Sequence, residues 1–427
     1  MVPDGARPVI VGYDAVSPLG LDLEEQWQAA LSGKSGVGPL TRFSRPDDFP
    51  VTVAGQVDAP DGLDREKYPF LAPRHQAAWS SPVFSYSMLT VARALERSGL
   101  IVTPEIAPRV AVTYSTAVGG LDAVLSADRA LQAEGRLPHP YANPNSCINM
   151  VGGKIAMQTG AQGPISTTVT ACATGLSSLI TAAMFLAMGR ADAAICGAVD
   201  FAVVEPIVAG FYTMNGIYIP KKGHENDPPE RASRPFSMDR RGFVLSEGAG
   251  ALILTTRRFA ADHGLEPLAE LAGWSMTSDA HHFVAPRVET VGRCIAGAVT
   301  DAGLAPEDID AVNGHAASTK VGDQVEYDAL CSAFGGPDSL PPVTANKSLT
   351  GHAMGASSAI ESIFALLGMR DGLLPPTINY TPDSAIAVDC VAEGARRLNQ
   401  EIVLKNSFGF GGCNSCVVFR NLSGAGS

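Results

Sequence analysis

The chain has 427 residues, of which 46% are hydrophobic and 17% charged, and its formal net charge is −12. This composition is typical of a globular protein with a large core and excludes a disordered or fibrous chain. An acidic chain without basic blocks is not expected to bind nucleic acid. No apolar run is long enough to span a bilayer and the N-terminus lacks a signal-peptide pattern, so we expect a soluble, cytoplasmic protein with no membrane partner.

The cysteines support the same compartment. Eight cysteines are scattered over the whole chain, which is not the dense spacing of a disulfide framework. We therefore expect free thiols in a reducing compartment, where a cysteine with a special setting would serve chemistry.

The predicted elements alternate between strands and helices in chain order. Strands are predicted at residues 7–13, 109–113, 164–170, 193–198, 243–254, 310–315 and 401–405, and helices at 23–31, 85–98 and 174–188. Alternation of this kind predicts an α/β protein with buried sheets.

Two internal matches indicate that the chain contains two duplicated halves. Residues 92–100 match residues 296–304, and residues 170–180 match residues 350–360, in the same order. Similarity among small residues alone is the alternative, but two ordered matches favour duplication. The second match places Cys172 where His352 lies in the other half. If the halves pack about a pseudo-twofold axis, both side chains face one centre, each at a helix N-terminus.

The residues at this centre suit thioester chemistry. Cys172 lies between a predicted strand and a small-residue helix, where the helix dipole and free N–H groups favour a nucleophile over an inert buried thiol. His315 follows a strand and His352 opens a helix. A thiol can accept an acyl group, and neutral imidazoles can donate hydrogen bonds to a developing enolate oxygen.

Two further features flank the centre. Glu361 lies within the helix after His352 and needs a cationic partner if it is buried, for which Lys347 is the candidate; a solvated pair of little energetic value is the alternative. Residues 406–412 (Asn-Ser-Phe-Gly-Phe-Gly-Gly) are interpreted as a loop that gates an apolar tunnel, or else as a plain turn. The motifs Cys413–Cys416 and His281–His282 lack partners at metal-ligand spacing, so no metal site is predicted.

Four motifs together resemble the β-ketoacyl-acyl carrier protein synthase II family, which includes the ketosynthase subunits of type II polyketide synthases. They are Thr-Ala-Cys at 170–172, Val-Asn-Gly-His at 312–315, Asn-Lys-Ser-Leu-Thr-Gly-His at 346–352, and the motif at 406–412. The resemblance runs from residue 9 to residue 419. It implies a thiolase-like α/β fold whose two duplicated halves, residues 1–262 and 263–427, form a layered αβαβα arrangement.

The resemblance also implies roles for individual residues. Cys172 resembles the acyl-accepting nucleophile, His315 and His352 the pair that assists decarboxylation, and Lys347 and Glu361 the supporting ion pair. Further implied roles are support by Asp323 and Glu326; an oxyanion hole and gate at Cys172, Phe408 and Gly409, with Phe408 as gatekeeper; and contact with the substrate or its pantetheine arm at Thr319, His282, Val118 and Phe410.

The implied reaction is a decarboxylative Claisen condensation. An acyl group is transferred to Cys172, malonyl-acyl carrier protein loses carbon dioxide, and the enolate attacks the acyl thioester. Substrates arrive on the phosphopantetheine of acyl carrier protein, and no cofactor or metal is implied. The expected assembly is a homodimer, or a heterodimer with a homologous chain-length-factor subunit.

Several positions depart from the family pattern and favour a type II polyketide pathway, with a polyene product as one version. The departures are Ala316 and Ala317 after His315, Val284, Cys413, Asn215, a less basic segment at 71–79, and the small tunnel residue Val118. A housekeeping fatty acid synthase component is the alternative within the same class. Two alternatives come from other classes. A noncatalytic chain-length partner typically lacks the cysteine, and a degradative thiolase usually pairs its nucleophile with a second catalytic cysteine.

Overall fold

The computed structural model describes residues 4–46, 48–60, 63–221 and 226–422. Within these ranges the strands are β1 (Pro8–Val16), β2 (Val37–Pro39), β3 (Val53–Gly55), β4 (Val110–Ser115), β5 (Ala193–Phe201), β6 (Glu247–Thr256), β7 (Ala269–Ser278), β8 (Ala311–Asn313), β9 (Val343–Thr344), β10 (Leu373–Leu374), β11 (Arg396–Arg397), β12 (Ile402–Gly409) and β13 (Cys413–Asn421).

The α-helices of the same ranges are α1 (Leu23–Leu31), α2 (Pro73–Ala78), α3 (Pro82–Ser98), α4 (Leu121–Glu134), α5 (Ala142–Ser146), α6 (Asn149–Thr159), α7 (Thr174–Ala187), α8 (Glu205–Thr213), α9 (Arg257–His263), α10 (Val288–Asp301), α11 (Lys320–Phe334), α12 (Lys347–Thr350) and α13 (Met354–Asp371). Short 3₁₀ turns lie at Asp4–Ala6, Pro69–Leu71, Ala107–Arg109, Ala171–Ala173, Pro229–Arg231, Pro306–Asp308 and Pro337–Ser339. No helix in the described part of the chain is long and apolar enough to cross a membrane.

The main sheet shows the predicted duplication. In the described residues, nine strands form one mixed sheet in the order β4-β5-β6-β1-β7-β13-β12-β8-β9, and Ile165 adds a bridge beside β4. In chain order, the sheet segments of the first half are β1, β4, the bridge at Ile165, β5 and β6, and those of the second half are β7, β8, β9, β12 and β13. From the outer edge of the sheet to its centre, both halves have these segments in the same order: third, second, fourth, fifth and first. The halves meet where β1 pairs with β7 at Val9–Glu270 and Ile10–Ala269. The predicted boundary after residue 262 stays a prediction.

The helices complete the five layers. Helices α3 and α6 pack on strands of the first half, and α10 packs on β7 and β13 with α11 against it. Between the two half-sheets, α7 contacts β5 and β13, while α13 contacts β6 and β12. The αβαβα arrangement is thus confirmed, and the beginnings of α7 and α13 meet at its centre.

The two sequence matches occupy equivalent places in the two halves. Helix α3 ends at Gly99, with φ of 71°, and α10 is followed by Gly303, with φ of 70°. A left-handed residue at a helix end favours glycine, since it has no Cβ to clash. The end of the predicted helix at residue 98 is therefore confirmed, because its stop signal, a glycine, lies next to it in the sequence.

Two predicted elements differ from the structure. Residues 164–170 do not form a regular strand; the segment makes an isolated bridge between Ile165 and Val112 at the sheet edge. The interpretation of 406–412 as a loop is wrong for its first four residues, which continue β12 to Gly409. Only Phe410–Gly412 form the turn to β13, with Gly411 and Gly412 at φ of 82° and 73°.

Candidate active site

Cys172 lies at the start of α7, in the short turn Ala171–Ala173, and is only 4% exposed. The hydroxyl of Thr174 donates to the carbonyl of Ala171 over 2.7 Å and accepts from the N–H of Thr170 over 3.0 Å. Ser407 of β12 donates to the carbonyl of Cys172 over 3.1 Å. These bonds tie the turn to its own helix and to the second half of the molecule, and so fix the thiol.

His352 faces this thiol from the other half. Its Nε2 lies 3.1 Å from Sγ of Cys172, and its Nδ1 lies 3.0 Å from the hydroxyl of Ser357. That hydroxyl accepts the N–H of Ala353 over 2.7 Å. Because a hydroxyl can still donate or accept once more, Ser357 fits either imidazole tautomer. Nε2 can therefore take the thiol proton in one tautomer and donate an N–H in the other.

His315 is the second imidazole and is held through its backbone. Its N–H donates to Glu326 Oε1 over 2.7 Å, and its carbonyl accepts from Lys347 Nζ over 2.7 Å. The same ammonium lies 3.5 Å from Nδ1 of His315. An ammonium can only donate, so Nδ1 is the acceptor and the ring proton belongs on Nε2. The rings of His315 and His352 are 5.7 Å apart and nearly perpendicular.

A buried charge network lies behind the two imidazoles. Lys347 Nζ is 2.7 Å from Glu361 Oε1, with both side chains 1% exposed, so the pair is not solvated. A second cation, Lys405, was not predicted; its Nζ is 2.6 Å from Glu361 Oε2. The sequence could have indicated it, because this lysine directly follows the apolar strand residues Ile402–Leu404. Glu361 thus bridges two ammonium groups.

Burial sets the protonation states of the reacting groups. It lowers the pKa of His352 well below the ordinary value, and nearby Lys347 and Lys405 lower it further. The pKa of His315 is also well below its ordinary value, mainly because the ring is buried and further because the two lysines lie nearby. Burial also raises the pKa of the Cys172 thiol to about 12, against the lowering effect of Lys347. The resting site therefore holds a neutral thiol and two neutral imidazoles, which can exchange or donate protons without a fixed charge.

The turn after β12 corrects one predicted assignment. The backbone N–H groups of Phe410 and of Cys172 itself act on the Cys172 thiol. They lower its pKa, in opposition to the effect of burial. Phe408 instead packs in the core of the second half, with its ring 5.6 Å from that of His315. The structure therefore places Phe410, rather than Phe408, at the position predicted for the oxyanion donor. The motif alone does not show that the strand ends at Gly409, between the two phenylalanines.

Gly409 supplies the space for this approach. A Cβ there would lie 2.2 Å from the carbonyl of Thr170 and 3.1 Å from the N–H of Cys172. No side chain could fit between the backbone of Gly409 and that of Thr170 and Cys172. Gly409 therefore allows β12 to reach the nucleophile turn.

An apolar cluster surrounds the thiol, and a buried carboxylate shapes its wall. Cys172 packs with Phe211, Val118 and Phe410 in this cluster. Asp200, which the sequence analysis missed, accepts from the N–H of Val118 over 3.0 Å. Burial raises the pKa of Asp200 to about 6. A polar residue near the end of the apolar strand β5 was the sequence feature that could have indicated Asp200. The hydrogen bonds of Asp200 fix where Val118 points.

Asp323 and Glu326 lie on α11 and support the backbone around His315. Asp323 accepts the N–H groups of Phe236, Ala317 and Thr319 at 2.8, 3.1 and 3.0 Å. Glu326 accepts that of His315. Thr319 immediately precedes α11, with its hydroxyl 3.4 Å from Asp323. The structure brings these residues together with His315.

His282 is placed outside the buried centre. It is exposed, its Nδ1 accepts the N–H of Val284 over 3.1 Å, and its ring stacks on Phe283. The carbonyl of Phe283 accepts the N–H of Gly411 over 2.9 Å. The loop that carries His282 is thus tied to the turn at 410–412, at the outer side of the site.

The site's donor set does not resemble a metal centre. Within the part of the chain that the structure describes, no group of three or more histidine, cysteine, aspartate or glutamate side chains is placed to hold a metal ion. The arrangement contains a nucleophile, two imidazoles and backbone N–H donors, which together suit acyl transfer.

Comparisons with known proteins agree with this chemistry. The family model for the N-terminal domain of β-ketoacyl synthase matches residues 6–260, and that for the C-terminal domain matches residues 268–381. The 3-oxoacyl-[acyl-carrier-protein] synthase 2 of Coxiella burnetii is 36% identical over 421 residues, covering 97% of this chain and 99% of the relative. That of Vibrio cholerae is 34% identical over 422 residues, with the same coverage.

Solved structures give the same result. One shows a type II polyketide synthase acyl-carrier protein in complex with its ketosynthase bound to a hexaketide; it has a TM-score of 0.86 and 26% identity. Another, the ishigamide ketosynthase/chain length factor, has a TM-score of 0.84 and 28% identity. Each comparison covers 97% of this chain and 99% of the other.

Proposed function

The chain belongs to the β-ketoacyl synthase family, and on that premise we propose that it extends acyl chains on Cys172 in a type II polyketide pathway. Its activity is that of a β-ketoacyl-acyl carrier protein synthase, an acyltransferase. The contact of 3.1 Å between Cys172 Sγ and His352 Nε2 carries the proposed roles. It joins a nucleophile and a base that lie 180 residues apart in the sequence.

The first proposed step is acyl transfer. As Sγ of Cys172 attacks the thioester carbonyl of an acyl-carrier protein, its proton passes to Nε2 of His352. The N–H groups of Cys172 and Phe410 hold the oxyanion that develops on the carbonyl oxygen. The pantetheine sulfur then leaves and takes the proton back from His352, so the enzyme becomes an acyl thioester with neutral imidazoles.

The second step is decarboxylation of the malonyl thioester. His352 now takes its other neutral tautomer, with the proton on Nε2, which Ser357 also accommodates. Carbon dioxide leaves, and its bonding electrons form an enolate whose oxygen accepts hydrogen bonds from the Nε2–H groups of His315 and His352. Both rings are neutral because burial and the two lysines lower their pKa values. The enolate carbon then attacks the acyl carbonyl on Cys172. A carbon–carbon bond forms, and the bond between the acyl carbon and Sγ of Cys172 breaks. The departing thiolate takes a proton from solvent, which restores the neutral thiol, and the product on the carrier is two carbons longer.

Two observations support a polyketide substrate. Val118 is a small, half-buried residue of the apolar cluster around Cys172, so its side chain occupies less of that cluster than a larger residue would. Two of the structural relatives are type II polyketide synthase or chain-length-factor assemblies by their descriptions. A housekeeping fatty acid enzyme is the second candidate, because the fatty acid synthase relatives have the higher sequence identity, 36% against 28%.

The partners follow from the same premise. We propose acyl carrier protein as the donor of both substrates, through its phosphopantetheine arm, with no resident cofactor. The assembly is proposed to be a dimer, either of two copies or with a homologous chain-length-factor subunit, in the cytoplasm. Phe408 was predicted to be the gate, but Phe410 is the phenylalanine that packs in the apolar cluster around Cys172, so Phe410 is proposed in its place. Thr319 and His282 are proposed as contacts for the pantetheine arm at the outer side of the site.

Intact-protein mass spectrometry tests the proposal. Wild type, Cys172→Ala and the exposed-thiol control Cys147→Ala are incubated with carrier proteins loaded with saturated, polyketide or polyene chains. Wild type and the control should gain the mass of one acyl group, whereas Cys172→Ala should not, although it should still decarboxylate malonyl-acyl carrier protein. Preferential loading of polyketide or polyene chains supports the polyketide pathway, and preference for saturated chains supports the fatty acid alternative. No adduct on wild type with any chain contradicts the catalytic role.

A further inference from the structure

Lys405 is a fully buried ammonium group that contacts none of the reacting atoms. It lies on β12, opposite Asn313 of β8 and Val417 of β13, with 0% exposure. Its Nζ is 2.6 Å from Glu361 Oε2 and donates to the carbonyls of Asn406 and Gly314 over 2.8 and 3.3 Å. Gly314 is the residue before His315. Lys405 therefore contacts both Glu361, which also binds Lys347, and the backbone next to His315.

The groups around Lys405 form one electrostatic unit. The titratable and charged groups that face it from the elements packed against it are Glu361 of α13, Lys347 of α12, Glu326 of α11, His315 after β8, His352 before α13 and Cys416 of β13. Burial lowers the pKa of Lys405 to about 8, and Glu361 opposes this effect. A buried cation of this kind costs free energy unless it is paired, so its position calls for a role.

We propose that Lys405 is a positioning residue of the active site: it holds Glu361 and the carbonyl of Gly314, and its charge keeps His315 and His352 neutral. It does not touch the reacting atoms. Its effect passes through Glu361 to Lys347, which contacts both the carbonyl and Nδ1 of His315, and through the electrostatic field at the two rings. The role in decarboxylation rests on the proposed function.

The charge can be separated from the packing. Methionine has nearly the length and volume of lysine and no charge, so Lys405→Met should keep the packing of β12 against α13. It also leaves Glu361 paired with Lys347, so no uncompensated charge is buried. Loss of the positive charge near the rings should raise the pKa of both histidines, because a nearby cation disfavours imidazolium. The acid limb of the decarboxylation profile should then move to higher pH, by on the order of one pH unit.

The experiment compares wild type, Lys405→Met and Lys405→Arg. Malonyl-acyl carrier protein decarboxylation is measured from pH 5 to pH 9, and the imidazoles are titrated by NMR over the same range with His315→Asn for assignment. Lys405→Met should show the raised acid limb and raised histidine pKa values. Lys405→Arg keeps a charge at every pH and should restore both to their wild-type positions. The NMR titration tests the electrostatic role even if no substrate is turned over, so failure of the proposed function gives a separate result.

A matched control measures a purely structural loss. Val403 lies two residues before Lys405 on the same strand and is buried in the apolar core that includes residues of α13. Val403→Ala should lower the thermal midpoint without moving either pH profile. The inference is overturned if Lys405→Met lowers stability or rate while both profiles keep their wild-type positions, or if Lys405→Arg fails to restore a profile that Lys405→Met has moved.

Discussion

Replacing Glu361 with glutamine should strongly destabilise the protein, and more so at neutral than at alkaline pH. The carboxylate lies 2.7 Å from Lys347 Nζ and 2.6 Å from Lys405 Nζ, and all three side chains are at most 1% exposed. Glutamine keeps the shape but leaves two ammonium groups without their counter-charge. Removing one partner from a buried ion pair costs about 3–5 kcal/mol, so we expect a loss of this size at pH 7.

The pH dependence follows from the proton on Lys405. In wild type the pKa of this lysine is lowered by burial to about 8, against the raising effect of Glu361. Without Glu361 the pKa falls further, so the folded variant holds one proton fewer than the unfolded chain across pH 7 to 9. Stability rises with pH wherever the unfolded state binds more protons. The variant should gain about 3 kcal/mol over this interval and wild type about half as much, so the difference in stability between them narrows by about 1.5 kcal/mol.

Urea unfolding of both proteins at pH 7 and pH 9, at one protein concentration and ionic strength, measures this difference. Glu24→Gln is the control, because Glu24 is a half-exposed partner of Arg370, and loss of a surface pair costs about 0–1 kcal/mol at either pH. A loss below about 1 kcal/mol for Glu361→Gln at pH 7, or a loss that does not change with pH, would show that Glu361 is not the counter-charge of the two buried lysines.

Three further predictions concern the reacting groups. Ser357→Ala removes the hydroxyl that lies 3.0 Å from His352 Nδ1 and orients the ring, so the decarboxylation rate should fall by roughly tenfold with little loss of stability; an unchanged rate would contradict a role for this bond in orienting the imidazole. Val118→Phe fills space in the cluster around Cys172, so long-chain loading measured by mass spectrometry should fall by about tenfold relative to a butyryl chain; an unchanged chain-length profile would contradict the tunnel assignment. Because burial raises the pKa of Cys172 to about 12, its alkylation by iodoacetamide should speed up by about tenfold per pH unit between pH 7 and pH 9, and a flat rate would show that the thiolate already exists at neutral pH.

Local patterns account for much of what the sequence predicted. Helix α1 was predicted at its observed bounds, and the end of α3 at Gly99 follows from a stop signal within the segment itself. The duplication was visible because both copies keep small residues where α7 and α13 begin. The same match predicted that Cys172 and His352 face one centre, and the structure places their reacting atoms 3.1 Å apart.

The positions that the sequence assigned wrongly depend on pairing between distant segments. Residues 164–170 have the β-branched composition of a strand, yet they lie at the sheet edge and make an isolated bridge. Whether Phe408 or Phe410 faces the thiol depends on where β12 ends, and its ladder with β13 continues to Gly409 and Cys413. Neither feature can be read from composition, because strand ends are set by the partner strand.

The fold class and the duplicated halves could be predicted from the sequence, and so could the choice of Cys172, His315 and His352 as candidates, since each depends on motifs that are contiguous in the chain. The packed molecule was needed to show that Glu361 bridges Lys347 and Lys405, and that Asp200 binds the backbone of Val118 in the wall of the apolar cluster. It was also needed to show the burial that raises the pKa of the thiol and lowers those of the imidazoles. The reason is physical: pairing of buried charges and their pKa values depend on burial and on distances between residues far apart in the chain, which only the packed molecule fixes.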